Sequence, residues 1–219
     1  MKVGTDAVLL GAWTPLKRPK TALDIGTGSG LLALMLAQRQ SDLEIDAIEI
    51  DAKSALQAKE NVERSPFSDR IRVIHADFRQ EVKNISKKYD LIICNPPYFQ
   101  NSFKPENKSR STARHRTQLD ITNLLEGVSQ ILSVTGLFTL ILPMKDSMEF
   151  KREASRLQLH PVKQLTIVPV PGKAAIRLCM AFSREKIPMR EESILIEAGG
   201  RHSYSNEYKK LTKDFYLDF

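Results

Sequence analysis

The stretch Thr21-Ala22-Leu23-Asp24-Ile25-Gly26-Thr27-Gly28-Ser29-Gly30 decides the fold, read together with the apolar run Leu31–Ala37 behind it. Thr21–Ile25 reads as a short buried strand, and residues 30–40 read as a buried helix. Between them, glycines at three alternate positions let backbone amides approach a ligand closely at the positive end of that helix. The dinucleotide fingerprint G-x-G-x-x-G would place its third glycine at position 31, which is leucine. The spacing is D-x-G-x-G-x-G instead, headed by Asp24, so a nicotinamide dinucleotide is the weaker reading.

Outward from this loop, β-branched runs alternate with helical periods. Glu44–Ile50 reads as a strand, Ala52–Arg64 as a polar helix stopped by Ser65-Pro66, and Ile71–His75 as a third strand. Tyr89–Cys94 reads as a fourth, and its Leu91-Ile92-Ile93 centre is apolar on both faces, as a central parallel strand requires. Asp120 is placed to cap a helix running to about Leu132; a strand over Gly136–Leu142 and a helix over Ser147–Leu159 follow. This β-α alternation predicts a Rossmann-like, doubly wound α/β sheet. Val162–Val170 and Ala174–Phe182 are separated only by Pro171-Gly172-Lys173, too short for a crossover helix, so they must pair antiparallel as a hairpin. The expectation is seven strands, mostly parallel, closing on that hairpin, in one domain over residues 1–219. Residues 100–118 carry no periodic signal and read as a long exposed loop, of the kind that is usually functional.

Composition bounds the possibilities. The 219 residues hold 33 Lys+Arg against 26 Asp+Glu, a net charge of +7. The excess is lopsided, +1 over residues 1–100 (14 against 13) and +6 over 101–219 (19 against 13), which suits one end for chemistry and the other for an anionic partner. The longest apolar run, Leu31–Ala37, is far short of the roughly 20 residues of a bilayer span, and no signal-peptide pattern opens the chain. Cys94 and Cys179 sit in strand-like runs and cannot build a disulfide framework. No metal-ligand spacing is visible among His75, His115, His160 and His202; His75 reads as a core residue or one that supports a ligand-contacting neighbour, and Cys94 as an apolar filler. A cytoplasmic, metal-free enzyme with no membrane partner is expected.

The D-x-G-x-G-x-G loop resembles that of class I S-adenosylmethionine-dependent methyltransferases, whose product is S-adenosylhomocysteine. That cofactor carries a sulfonium and an ammonium group and no pyrophosphate, which suits an acid beside the glycines. The resemblance places Asp24, Gly26, Gly28 and Gly30 at its methionine end. It also places Glu49 on both ribose hydroxyls, Ile50 on the adenine face, and Asp77, with Phe78 beside it, at the adenine amino group. Three acids at three successive strand ends line the carboxyl-edge crevice of such a sheet.

Asn95-Pro96-Pro97-Tyr98 follows the fourth strand directly. Consecutive prolines hold the backbone extended and remove two donors, leaving free carbonyls. The tetrapeptide resembles the signature of methyltransferases acting on amino groups attached to planar systems, adenine N6 and the glutamine amide. The resemblance implies that Asn95 and the Pro96 carbonyl accept from the target N–H groups, that Tyr98 stacks on a flipped base, and that Asn95 also lines the cofactor site.

Among the acceptors so implied, charge favours nucleic acid. Lys104, Lys108, Arg110, Arg114 and Arg116 crowd residues 99–118 against the single acid Glu106, the composition of a phosphate-gripping segment. The opening M-K-V-G-T-D-A-V-L-L-G-A-W and the closing Tyr204-Ser205-Asn206-Glu207-Tyr208, with Leu211-Thr212 and Phe215-Tyr216-Leu217, resemble bacterial adenine-N6 methyltransferases of valine tRNA, which modify adenosine 37 beside the anticodon. With the loop and the tetrapeptide, that resemblance spans nearly the whole chain and implies tRNA as partner and a monomer. It gives residues 1–20 a cofactor-closing role centred on Thr5 and Asp6; Asp6 alone also reads as a helix N-cap. Members of that family carry a further segment ahead of M-K-V-G-T-D, which does not precede Met1 here. Ribosomal RNA, DNA and a protein glutamine remain alternative acceptors, and a non-catalytic RNA-binding role is the remote one.

Overall fold

A computed structural model describes residues 4–96, 119–200 and 202–218. Eight strands form one sheet: β1 (Thr21–Ile25), β2 (Glu44–Glu49), β3 (Ile71–His75), β4 (Tyr89–Cys94), β5 (Leu132–Pro143), β6 (His160–Val168), β7 (Arg177–Ser183) and β8 (Arg190–Leu195). Their order across the sheet is β3-β2-β1-β4-β5-β7-β6-β8. β1 to β5 run parallel, β7 is antiparallel to both β5 and β6, and β8 returns parallel to β6.

The expected parallel sheet and closing hairpin are both present, with two corrections. An eighth strand lies beyond the seven expected. Its sequence, Arg-Glu-Glu-Ser-Ile-Leu, shows no alternation because it is an edge strand with only Ile194 buried. The hairpin connection is also longer than Pro171–Lys173: β6 stops at Val168 and β7 starts at Arg177, since Pro169 and Pro171 cannot donate to a ladder.

The helices are α1 (Thr5–Trp13), α2 (Leu31–Arg39), α3 (Ala52–Glu63), the single turn α4 (Phe78–Glu81), α5 (Ile121–Ile131), α6 (Ser147–Arg156) and α7 (Asn206–Thr212). α5 begins where its cap predicts, the Asp120 carboxylate accepting from the Asn123 amide at 2.7 Å. The two sheet faces build separate cores. Leu91 and Ile93 of β4 join the core that holds α1 and α2 residues, whereas Ile92 and Cys94 join the one under α5 and α6. That division is why a run apolar at every position signals a central strand.

α1 starts at Thr5 with Gly4 as its N-cap, so Asp6 is not the cap and stands in the first turn. Its carboxylate instead meets Arg177 Nε at 3.0 Å. Arg177 pairs with Pro143 at the carboxyl end of β5. The ion pair therefore fixes the start of α1 at the carboxyl edge of the sheet. At the other end Trp13 Nε1 donates to Glu192 of β8 at 3.0 Å, while Lys163 Nζ lies 4.9 Å from the indole centroid.

Candidate active site

The chain winds one way from β1 through β2 to β3, then crosses back to place β4 on the other side of β1. Ligands of open α/β sheets sit at such a reversal, outside the carboxyl ends of the strands. Ile25 pairs in parallel register with Cys94. Gly26 and Asn95, the next residues, therefore leave the sheet side by side, and the glycine loop and the start of the tetrapeptide share one crevice.

The loop is pinned rather than mobile. Gly26 and Thr27 donate to the Ile48 carbonyl at 2.9 and 3.0 Å, and the Asn61 amide holds the Ser29 carbonyl at 2.8 Å. Gly26, Gly28 and Gly30 have φ of 69°, 60° and 84°, a region that L-residues with side chains rarely adopt. A Cβ on Gly26 would meet nothing within 4 Å, so the crevice is open at that point.

Asp24 lies fully buried beneath the loop. Oδ2 accepts from the Thr27 hydroxyl at 2.5 Å, while Oδ1 has no hydrogen-bonding partner among the described residues. Burial pushes its pKa up to about 7, opposed by the Thr27 hydroxyl and the amide dipole of Ala33, and assisted by the negative charge of Glu49. A buried carboxylate with one unpaired oxygen, beneath a glycine loop, suits a cationic ligand above it through its charge.

Glu49, at the end of β2, is also buried; its two oxygens accept from the Gly28 and Asp51 amides, each at 2.9 Å. A carboxylate has about four acceptor positions, so each oxygen keeps one for a diol. Ile50, the residue after β2, is 41% exposed, and His75 Nε2 lies 3.2 Å from its carbonyl oxygen. His75 is itself exposed, not a core residue; it supports Ile50.

Two expectations need correction. Asp77 caps α4, but Arg79 grips it in a fork: Nε is 2.9 Å from Oδ1 and Nη2 is 2.6 Å from Oδ2, with the Arg79 amide also on Oδ1. That guanidinium holds the Asp77 carboxyl below the usual range, and Asp77 is not a free acceptor for an adenine amino group. Phe78 is buried against Gly127 of α5, where a Cβ on Gly127 would come 2.6 Å from its ring. The Phe78 ring is thus core.

Of the tetrapeptide, Asn95 is partly exposed at the crevice and Pro96 is buried. Pro97 and Tyr98 lie outside the described residues, as do Lys104, Lys108, Arg110, Arg114 and Arg116. Cys94 and Cys179 are buried and burial raises both thiols well above the usual value, in keeping with inert filler. No group of three or more His, Cys, Asp or Glu that could hold a metal ion occurs among the described residues, and none of their helices is long and apolar enough to cross a membrane. The residues that sequence reasoning missed are Arg177 and Arg79. Asp-x-Arg at a helix start was a readable local signal for Arg79; Arg177, far along the chain from Asp6, gave none.

Sheet order, glycine loop and crevice together define a class I methyltransferase fold. The crystal structure of a predicted O-methyltransferase from Agrobacterium tumefaciens superimposes with a TM-score of 0.74 at 20% identity, covering 95% of this chain and 96% of that one. A ribosomal protein L11 methylase from Lactobacillus delbrueckii gives 0.55 at 18% identity over 82% and 77%. Residues 3–119 match the methyltransferase small domain family, and the chain belongs to it. Among curated proteins, the tRNA1(Val) (adenine(37)-N6)-methyltransferase of Bacteroides fragilis strain YCH46 is 51% identical over 99% of this chain and 91% of its own length. The protein of the same name from Trichodesmium erythraeum is 43% identical over 100% and 92%.

Proposed function

We propose that this methyltransferase transfers a methyl group from S-adenosylmethionine to N6 of adenosine 37, next to the anticodon of valine tRNA, in the cytoplasm. Two near-full-length relatives that carry that activity in their names support the acceptor. The observation that carries the chemistry is the parallel register of Ile25 with Cys94, which sets the glycine loop beside Asn95-Pro96.

The residues fit the cofactor. Asp24, buried beneath the loop, offers negative charge to its cationic methionine end, Glu49 its remaining acceptor positions to the ribose hydroxyls, and Ile50 an exposed apolar surface to the adenine. Bound there, S-adenosylmethionine supplies an electrophilic methyl group on a sulfonium. Gly26, Gly28 and Gly30 let the backbone approach it, and Thr5 and Asp6 at the start of α1 close over the same edge.

The exocyclic nitrogen of adenine is a weak nucleophile because its lone pair is delocalised into the ring. The Asn95 side-chain oxygen and the Pro96 carbonyl accept its two N–H bonds, which favours a pyramidal nitrogen and turns the lone pair toward the methyl group. Pro97 and Tyr98 complete the tetrapeptide, Tyr98 as the stacking partner of the extruded base. No base has to act before attack, because the nitrogen's proton becomes acidic only as the N–C bond forms and the sulfonium–methyl bond breaks. That proton then passes to solvent, leaving S-adenosylhomocysteine as the neutral thioether product. Catalysis is positioning plus hydrogen bonding. Lys104, Lys108, Arg110, Arg114 and Arg116 grip the phosphates around the target.

The test is methyl transfer to transcripts of valine tRNA that differ only at position 37. Incorporation with adenosine there and none with guanosine is expected. Equal incorporation into both would refute the assigned target.

A further inference from the structure

Exposed large apolar side chains are few among the described residues, and three of them stand on adjoining segments at one edge of the sheet. Met144 is 40%, Met148 83% and Ile176 46% exposed. The Met144 amide donates to the Ile176 carbonyl at 3.1 Å, and Met148 stands one turn beyond Met144. The others, apart from Ile50 at the cofactor crevice, lie singly on α3, at the start of β5, before β8 and near the C-terminus.

The position of this cluster follows from strand register. Cys94 at the end of β4 pairs with Leu140 of β5, yet β5 continues through Ile141 and Leu142 to Pro143, which pairs with Arg177. Three further residues of extended chain raise β5 and β7 into a ledge about 10 Å beyond the end of β4. Met144 and Ile176 crown that ledge, next to the crevice where Asn95 leaves the sheet.

The ledge is rigid and basic. Phe150 of α6 packs between Phe138 and Phe182, with centroids 6.4 and 5.6 Å away, and the Ser147 hydroxyl holds the Met144 carbonyl at 2.8 Å. Lys145 stands exposed between the two methionines, and Lys173 is exposed on the turn before Ile176. That turn closes through Lys173 N–H to Val170 O at 3.2 Å, with Gly172 at φ 74°. Of the acids nearby, Glu149 is engaged by Arg152 at 3.2 Å and Asp6 by Arg177 at 3.0 Å, and Asp146 is buried behind the ledge, so the charges presented at its surface are the two lysines.

Apolar faces flanked by lysines, beside a site that acts on one nucleotide of a chain, match what a single-stranded polynucleotide presents, namely base faces and phosphates alternating. We propose that Met144, Met148 and Ile176, with Lys145 and Lys173, form a stacking platform for a nucleotide flanking the methylated adenosine. Thioether side chains suit this because they adapt to whichever base face arrives. The inference rests on the RNA reading above for its occupant.

The experiment compares the wild-type protein with Met144→Ser/Met148→Ser and with Lys145→Ala/Lys173→Ala. For each, steady-state methylation of unmodified tRNA, binding of labelled tRNA and binding of S-adenosylmethionine are measured. The serine pair is expected to raise KM for tRNA about tenfold, as the loss of two thioether–base contacts predicts, with kcat and cofactor affinity unchanged. The alanine pair is expected to make the slope of log affinity against log salt shallower by about 1.4. Unchanged tRNA KM and affinity in the serine pair would overturn the platform while wild-type methylation upholds the activity. Weakened RNA binding in the variants with no wild-type methylation of tRNA would uphold the platform and refute the activity instead. A wild-type dimer, seen by sedimentation, that the serine pair dissociates without weakening RNA binding would show the ledge to be a self-association face and overturn the proposal.

Discussion

Asp24 and Asn95 divide the work at the scale of single residues, and pH and mutation separate them. The folded pKa of Asp24, about 7, lies above its ordinary 3.8. Between those values the folded chain keeps a proton that the unfolded chain has released, so stability declines as pH rises toward 7 and is level above it. A cationic ligand favours the ionised form. Cofactor affinity should therefore rise with pH up to about 7, with a proton released on binding at pH 6. Calorimetry in two buffers of different ionisation enthalpy checks this: the apparent heats should differ for the wild type and coincide for Asp24→Asn. Equal heats in the wild type would contradict the assignment. Asn95→Ala, by contrast, should lower kcat by at least about a hundredfold, the cost of losing one donor–acceptor contact made in the transition state, while S-adenosylmethionine binds nearly as before. A large loss of cofactor affinity in that variant would count against its role on the acceptor nitrogen.

Two contacts between elements carry predictions of opposite kind. The Asp6–Arg177 pair ties α1 to the ledge, and both side chains are about a quarter exposed. A partly exposed pair of this kind is worth about 1 kcal/mol or less, so Arg177→Met should leave the denaturation midpoint nearly unchanged. If α1 closes on the cofactor, the same variant should weaken S-adenosylmethionine binding about two- to fivefold. Gly127→Ala should do the reverse. Its Cβ would come 2.6 Å from the Phe78 ring where α5 crosses α4, and overpacking costs about 1–3 kcal/mol. Denaturant unfolding would read that loss, with cofactor affinity per folded molecule little altered. These elements also mark where sequence stops being informative. β4 was legible because its Leu91-Ile92-Ile93 centre is apolar on both faces, β1 because a short buried run leads straight into the glycine loop, and α5 because Asp120 caps it. β8 was not, because an edge strand need not alternate. Glu49 and Ile50 could be placed from the strand they end, whereas the fate of Asp77 depended on Arg79 folding back, and the anchoring of Asp6 on a residue brought to it only by the completed sheet.

Across the whole molecule, the +7 charge and its bias toward residues 101–219 predict strongly salt-dependent RNA binding. Neutralising Arg110, Arg114 and Arg116 together should make the slope of log affinity against log salt shallower by about 2, at roughly 0.7 per phosphate contact on a single strand. An unchanged slope would remove that segment from the RNA contact. The most direct test of the account as a whole offers the protein and labelled S-adenosylmethionine four acceptors: unmodified bulk tRNA, ribosomal RNA, duplex DNA and a release-factor protein. Digestion of the nucleic acids to nucleosides and mass analysis should find N6-methyladenosine in tRNA alone. Label in the protein acceptor alone, or N6-methyladenosine in ribosomal RNA or DNA and none in tRNA, would contradict it.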